Sequence, residues 1–259
     1  MVERVEAAVG VIGAGPVGGV LACRLAAAGL PVAVIDRAPL PPMEHPDFDG
    51  RAYAIAAGSR GVLQAAGLWD HLPYPAGPIH GIRVSDGRVG RRASPLFLHF
   101  GAQEAGAEAF GWMVEARSLR MALNARLAAE PAITVLAPAV PTVARTAEGA
   151  VVRIAGGPEI HCRLVVAAEG RNSPLRQAAG IPLTRFDYGQ TGLVCAVGHE
   201  RPHHAVALEH FLPAGPLAQL PMAPTAGAPH LSAIVWTERR ATAARLLALP
   251  DAAFTRELA

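Results

Sequence analysis

Val9-Gly10-Val11-Ile12-Gly13-Ala14-Gly15-Pro16-Val17-Gly18 is the stretch that decides the fold. Its apolar opening reads as a buried strand, and the glycines read as a tight turn into a helix. Gly13 permits the turn, Gly15 lets the backbone approach a pyrophosphate, and Gly18 lets the helix pack closely on the strand. The helix is predicted over Pro16 to Ala28, with Gly29-Leu30-Pro31 as its stop. Val32-Ala33-Val34-Ile35 then reads as a second strand, which delivers Asp36 about 20 residues after the glycines. Unpaired N–H groups and the positive dipole end at the helix start favour phosphates without a basic side chain, and Asp36 can accept hydrogen bonds from ribose hydroxyls. The pattern is that of a dinucleotide site. A tightly packed βαβ unit without ligand is the bland alternative.

Ala7 to Ile35 carry one charge, Arg24, so hydropathy alone suggests a leader or a membrane span. Glu3 and Glu6 spoil a basic leader region, and strands covered on both faces are expected to be this apolar. No spanning helix is expected. With 259 residues and 51% hydrophobic content, the chain can bury one large core or two modest ones. A net charge of +2 marks no nucleic-acid surface, and Arg88 to Arg92 reads as a solvated turn. Every cationic side chain apart from histidine is arginine. Cys23, Cys162 and Cys195 are odd in number and far apart, which favours free thiols and a reducing compartment. His199, His203, His204 and His210 match no metal-ligand spacing and read as a surface cluster, so no metal is expected.

Along the chain, a proline-rich loop through Pro46 and Asp49-Gly50-Arg51 reads as a cofactor-flanking loop, followed by a helical stretch from Ser59 to Leu68. Pro73 to Phe110 reads as strands of a second layer, with Ile79, Ile82, Val84 and Leu96 to Phe100 extended. Glu115 to Ala129 has helical spacing, because Leu119, Leu123 and Leu127 share a face. Strands follow at Ile133–Ala137, Thr142–Arg145 and Val151–Ile154, the last two joined by a turn at Glu148-Gly149. A buried strand, Leu164–Ala168, leads into Glu169-Gly170-Arg171-Asn172, after which Ser173 caps a helix beginning at Pro174. Leu193–Val197, Val206–Phe211 and Leu231–Thr237 read as further strands, and a helical segment starts at Ala241.

These residues resemble the class A flavoprotein aromatic hydroxylases, and within them the ubiquinone-biosynthesis hydroxylases. The match is carried by Val11 to Gly18 with Asp36-Arg37, by Asp49 to Ala52 with Ala54-Ile55-Ala56, and by Gly67-Leu68-Trp69. It continues through Gly111-Trp112, Glu115 and Leu119, and Leu164 to Arg176. Tyr188-Gly189-Gln190-Thr191, Gly215-Pro216-Leu217-Ala218, Leu220-Pro221 and Ile234 to Thr237 are the segments most specific to the ubiquinone branch.

The resemblance implies an α/β chain, a Rossmann-like FAD-binding domain with a β-sheet substrate layer, with the C-terminal part of the family fold missing. The implied domains are 1–75 with 111–182 for FAD, and 76–110 with 183–259 for substrate, the latter incomplete. Gly13, Gly15, Pro16, Val17, Gly18, Asp36 and Arg37 would hold the ADP half of FAD. Arg51 corresponds to an arginine near the flavin and its phosphates, and Arg117 opens the helix beside the cofactor. Glu169 and Gly170 occupy the place of the family's Asp-Gly pair, which contacts both FAD and NAD(P)H. A later Gly-Asp motif and helix of the family find no match after Trp236, so the chain corresponds to an amino-terminal portion of such an enzyme.

The implied chemistry is NAD(P)H- and O2-dependent hydroxylation of an aromatic, prenylated ring. No catalytic side chain is named, because the cofactor carries the reaction and the protein supplies position and a water-free pocket. The candidate pocket residues lie in Leu96 to Phe100 and Leu208 to Leu220. The implied location is cytoplasmic, peripheral at the inner membrane face or in a biosynthetic complex, with no nucleic-acid partner. A nicotinamide-dependent dehydrogenase, or a non-catalytic nucleotide-binding remnant, would use the same glycines and Asp36.

Overall fold

Apolar runs separated by glycine turns become an alternation of strand and helix in the computed structural model, which describes residues 3–40, 49–91 and 94–259. The strands are β1 (Arg4–Ile12), β2 (Val32–Ile35), β3 (Ala52–Ala56), β4 (Gly77–Ile79), β5 (Gly81–Asp86), β6 (Phe97–Gly101), β7 (Gly111–Glu115), β8 (Ile133–Leu136), β9 (Pro141–Arg145), β10 (Ala150–Ile154), β11 (Glu159–Ala167), β12 (Gln190–Gly198), β13 (Val206–Leu212), β14 (Gly215–Met222) and β15 (Leu231–Arg239). The helices are α1 (Pro16–Ala27), α2 (Ala57–Ala65), α3 (Ala116–Ala129), α4 (Pro174–Ala178), α5 (Arg240–Leu247) and α6 (Asp251–Leu258). They divide between two compact units, one of Met1–Pro46, Gly58–Pro73 and Arg117–Thr184, the other of Asp47–Ala57, Tyr74–Ala116 and Arg185–Ala259.

The first unit is built on a six-stranded sheet in the order β8-β2-β1-β11-β10-β9. β8, β2, β1 and β11 run parallel, so that Ile12 stands beside Ile35 on one side and Ala167 on the other. The connection from β1 to β2 is the crossover helix α1, as a parallel pair requires. All four residues of β2 are buried, which is why the run from Ala7 to Ile35 is so apolar. Ile12, Ile35, Val152 and Ile160 form a core cluster of this sheet. Leu119, Leu123 and Leu127 of α3 are almost fully buried, each contributing roughly 1.5–3 kcal/mol. α3 lies so close to α1 that a Cβ on Gly19 would come within 2.8 Å of Leu123 Cδ2.

The second unit holds a six-stranded sheet, β12-β15-β14-β13-β5-β6, and a three-stranded sheet, β3-β7-β4. In the larger sheet β13 and β5 are parallel and the other neighbours antiparallel. Ile79, Met113, Ala207, Met222, Leu231 and Ala233 pack as one cluster. Leu193, Ile234 and Trp236 pack with Ala243 and Leu246 of α5, joined by Phe254 and Leu258 of α6. Gly77 is required by close approach, since a Cβ there would lie 2.6 Å from Ala223 N.

Several boundaries differ from the sequence reading. Ala52–Ala56, read with a cofactor-flanking loop, is a strand paired with β7. Glu115 ends β7, and helical structure begins only at Ala116. The helix expected over 59–68 is α2, which starts two residues and ends three residues earlier, and Gly67 at φ +71° turns the chain after its end. β1 and β11 begin at Arg4 and Glu159, since they pair in register along their whole length. Residues 49–57 and 111–116, grouped by sequence with the first layer, belong to the second unit because β3 and β7 pair with each other and β7 with β4. The proline-rich loop through Pro46 and Arg92 of the basic run lie outside the described residues. Arg88 and Arg91 are exposed in a turn.

Candidate functional site

The glycines after β1 have different reasons to be glycine. Gly13 takes φ +111°, and a Cβ on it would sit 2.4 Å from the carbonyl oxygen of Ala168. Neighbouring strand ends cause this crowding, since Ala168 N–H donates to Ile12 O over 2.7 Å. A Cβ on Gly18 would lie 2.0 Å from Gly13 O, so the first turn of α1 presses on the turn that launches it. Gly15 is the exception. It has ordinary backbone angles, φ −66° and ψ 177°, and a Cβ there would meet nothing within 4 Å. Its missing side chain leaves open space at the start of α1, where among the described residues no side chain caps the helix and Pro16 occupies the first turn. Val17 beside it is 79% exposed. An uncapped helix start facing open space suits an anion.

Asp36 is brought to the same turn by β2. Its carboxylate accepts from Ala14 N–H at 2.7 Å and Ala38 N–H at 2.9 Å. A carboxylate has about four acceptor positions, so capacity remains for two hydroxyls. Arg37 is exposed next to it.

The parallel pairing of β1 and β11 sets Glu169 and Gly170 beside the glycine turn, with Glu169 N 3.2 Å from the Cβ position of Gly13. The Glu169 carboxylate is engaged locally. Its Oε2 accepts from the Ser173 hydroxyl and from Leu175 N–H at 3.2 Å. Ser173 Oγ accepts in turn from Arg176 N–H at 3.1 Å, as the expected cap of α4. The longer acid therefore closes the start of α4. Gly170 takes φ +84° with open space around it.

Arg117 is half-buried in the first turn of α3. One turn further on, Arg120 donates from Nη1 to Ala14 O at 2.9 Å. Sequence reasoning missed this contact. Its signal was the i,i+3 spacing to Arg117, which puts both arginines on one side of the helix. Arg51 belongs to the second unit, where its Nε donates to Asp49 Oδ2 at 2.6 Å. That bond holds the Asp49 carboxyl below, and the Arg51 guanidinium above, their ordinary ranges.

The remaining candidates have structural employment. His199 and His203 are half-buried, not surface groups. His199 Nε2 lies 2.8 Å from Ser232 Oγ, and His203 Nε2 lies 3.1 Å from Met222 O. Among the described residues, no three His, Cys, Asp or Glu side chains converge as metal ligands. The three cysteines are free. Burial pushes the Cys23 thiol up to about 11 and raises Cys162 and Cys195 as well, which keeps them neutral.

Comparison with known proteins agrees with this geometry. Residues 6–244 match the family described as FAD binding domain. The chain is 45% identical over 249 residues to ubiquinone hydroxylase UbiL of Rhodospirillum rubrum, covering 96% of this chain and 56% of that protein. It is 33% identical over 216 residues to the 3-demethoxyubiquinol 3-hydroxylase of Escherichia coli, covering 83% and 54%. It thus spans about half the length of the curated relatives it matches. Among solved structures, a mutant of P. aeruginosa PqsL aligns with a TM-score of 0.76 at 21% identity, over 94% of this chain and 64% of that one. The p-nitrophenol 4-monooxygenase PnpA of Pseudomonas putida aligns at 0.68 and 15%, over 99% and 62%. At such identities the structures attest the fold alone. The chain belongs to the FAD-binding-domain family.

Proposed function

We propose that this chain carries the nucleotide-holding and ring-facing parts of an FAD-dependent monooxygenase that hydroxylates a polyprenyl phenol in ubiquinone biosynthesis. The observation that carries the reading is Gly15, a glycine that neither backbone strain nor packing requires, at an uncapped helix start within reach of Asp36. In this reading the first unit is the FAD-binding domain and the second the substrate domain. Gly13 and Gly18 shape the turn, and the N–H groups of Gly15 and Val17, on either side of Pro16, take the pyrophosphate. Asp36 accepts from ribose hydroxyls, with Arg37 flanking. Arg120 steadies the turn from α3, Arg117 stands beside the cofactor in the first turn of that helix, Gly170 leaves room beside the cofactor and Glu169 fixes the loop that carries it. Arg51, oriented by Asp49, offers a guanidinium to the flavin's phosphates.

FAD, when bound, supplies electron transfer from NAD(P)H and activation of O2, and the protein contributes orientation and exclusion of water. The polyprenyl substrate motivates a peripheral location at the cytoplasmic membrane face or in a biosynthetic assembly. Among the described residues no helix is long and apolar enough to cross a membrane.

The test is the visible absorption spectrum of the purified 259-residue chain after incubation with FAD and desalting, followed by NAD(P)H consumption with a prenylphenol. Retained oxidised-flavin bands are the expected result. Tight NADH binding without flavin uptake would favour a dehydrogenase, and neither nucleotide binding would sink the reading.

A further inference from the structure

β13 turns successive side chains to opposite faces of its sheet. Ala207 and Glu209 therefore share one face, while Leu208 and His210 share the other. On the second face His210 Nδ1 lies 2.8 Å from Ser85 Oγ on the neighbouring strand, and Leu208 is 37% exposed. The first face carries Ala207 into the core with Ile79 and Met222, and two residues later it carries Glu209 into a cavity of about 290 Å³. Besides Glu209, that cavity is lined by apolar residues of both sheets of the second unit, including Ile55, Ile82, Phe110 and Leu220. Glu209 is the one ionisable side chain among the described residues that line it.

A carboxylate here is costly. Burial raises the pKa of Glu209 above its ordinary range, and among the described residues no neighbouring charge or hydrogen bond offsets this. An apolar residue would pack better on this face, so a lone half-buried carboxyl calls for a partner that the described residues do not supply. The register extends the surface in one direction. Glu209 stands beside Val84 and Ala207 beside Ile82, while Val84 stands beside Leu98 and Ile82 beside Phe100. Leu98 and Phe100 are 62% and 48% exposed, so an apolar strip runs from the cavity across β5 to the open edge at β6. The arrangement is one carboxyl acceptor in the lining of a small apolar cavity, continued by an apolar track.

We propose that Glu209 accepts a hydrogen bond from the ring hydroxyl of a phenol seated in this cavity, with the isoprenoid tail lying over Val84, Leu98 and Phe100. This rests on the proposed function and adds the residue that sets ring orientation and the preference for a free hydroxyl. The cavity volume suits a single substituted ring. An ionised acceptor bonded to a neutral phenol makes the stronger class of hydrogen bond.

The test compares 2-geranylphenol with its O-methyl ether, which is one methyl larger and cannot donate, by calorimetric titration of the 259-residue chain and of Glu209→Gln and Glu209→Leu. The Leu variant separates the loss of the hydrogen bond from the added bulk. Thermal melts confirm that the variants fold. The phenol should bind wild type about tenfold or more tightly than the ether. Glu209→Gln should shrink that preference and Glu209→Leu abolish it without weakening the ether. Lowering the pH until Glu209 protonates should reduce the wild-type preference and leave the Leu variant unmoved. Equal binding of phenol and ether to wild type, or a preference that survives in Glu209→Leu, would overturn the role of Glu209 while leaving the aromatic site standing. Binding of neither probe would overturn both.

Discussion

At the residue scale, glycines that look alike in sequence do unlike jobs. Gly13 and Gly18 are held by sterics, because added Cβ atoms would lie 2.4 Å and 2.0 Å from backbone oxygens. Gly15 faces open space. Alanine at 13 or 18 should therefore lower the melting temperature by roughly 5 °C or more, from an overpacking cost of about 1–3 kcal/mol. Alanine at 15 should leave the melt within about 2 °C, since a residue with compatible angles even restricts the unfolded chain. Its effect should fall on flavin retention, weakened about tenfold by crowding the phosphate approach. Melts and desalting assays on the three variants separate the two roles. A Gly15 variant that melts early but keeps flavin would contradict this division.

At the element scale, the turn before β13 shows how one imidazole fixes a connection. His203 accepts from Ala205 N–H at Nδ1 over 3.0 Å, so its Nε2 carries the proton and donates to Met222 O. That bond supports His204 and Ala205 at φ 52° and 56°, unusual for residues with side chains. Burial lowers the pKa of His203, its bond to Met222 O offsets part of this, and the nearby His199, His230 and His204 lower it further. The folded state thus binds this proton less readily than the unfolded chain. Stability should be full above about pH 6.5, the unfolded value, and should decline as pH falls through that value toward the lowered folded one. Melting curves between pH 8 and 5 on wild type and His203→Gln check this, the variant being expected to show the shallower decline below about pH 6.5. Equal slopes would remove His203 from the account.

For the whole molecule, the open edge of the larger sheet is the conspicuous surface. Leu96, Phe97, Leu98 and Phe100 are 83%, 50%, 62% and 48% exposed on and beside β6. An apolar strand edge with free backbone groups is a template for pairing with another chain. Leu96→Lys combined with Leu98→Lys should reduce self-association measured by light scattering, with little change in melting temperature. Unchanged scattering would show that the edge is not the site of contact.

Much of this molecule is legible along the chain. The βαβ unit, the delivery of Asp36 and the Ser173 cap follow from local stereochemistry and from apolar runs, which act over a few residues. The three-stranded sheet was less legible, because β3 and β7 meet across more than 50 residues of chain and Ala52–Ala56 carries no strong alternation. Arg120 on Ala14 O, the turning of Glu169 onto α4 and the inward face of Glu209 were decided only by tertiary structure. Each depends on which strand or helix stands alongside, and a one-residue change of register would turn those side chains elsewhere. The sequence by itself determined that a nucleotide-type turn would form and where its acid would stand, since both are set by short-range backbone geometry. Which polar groups are satisfied within the chain, and which face open space, was settled by packing between distant segments.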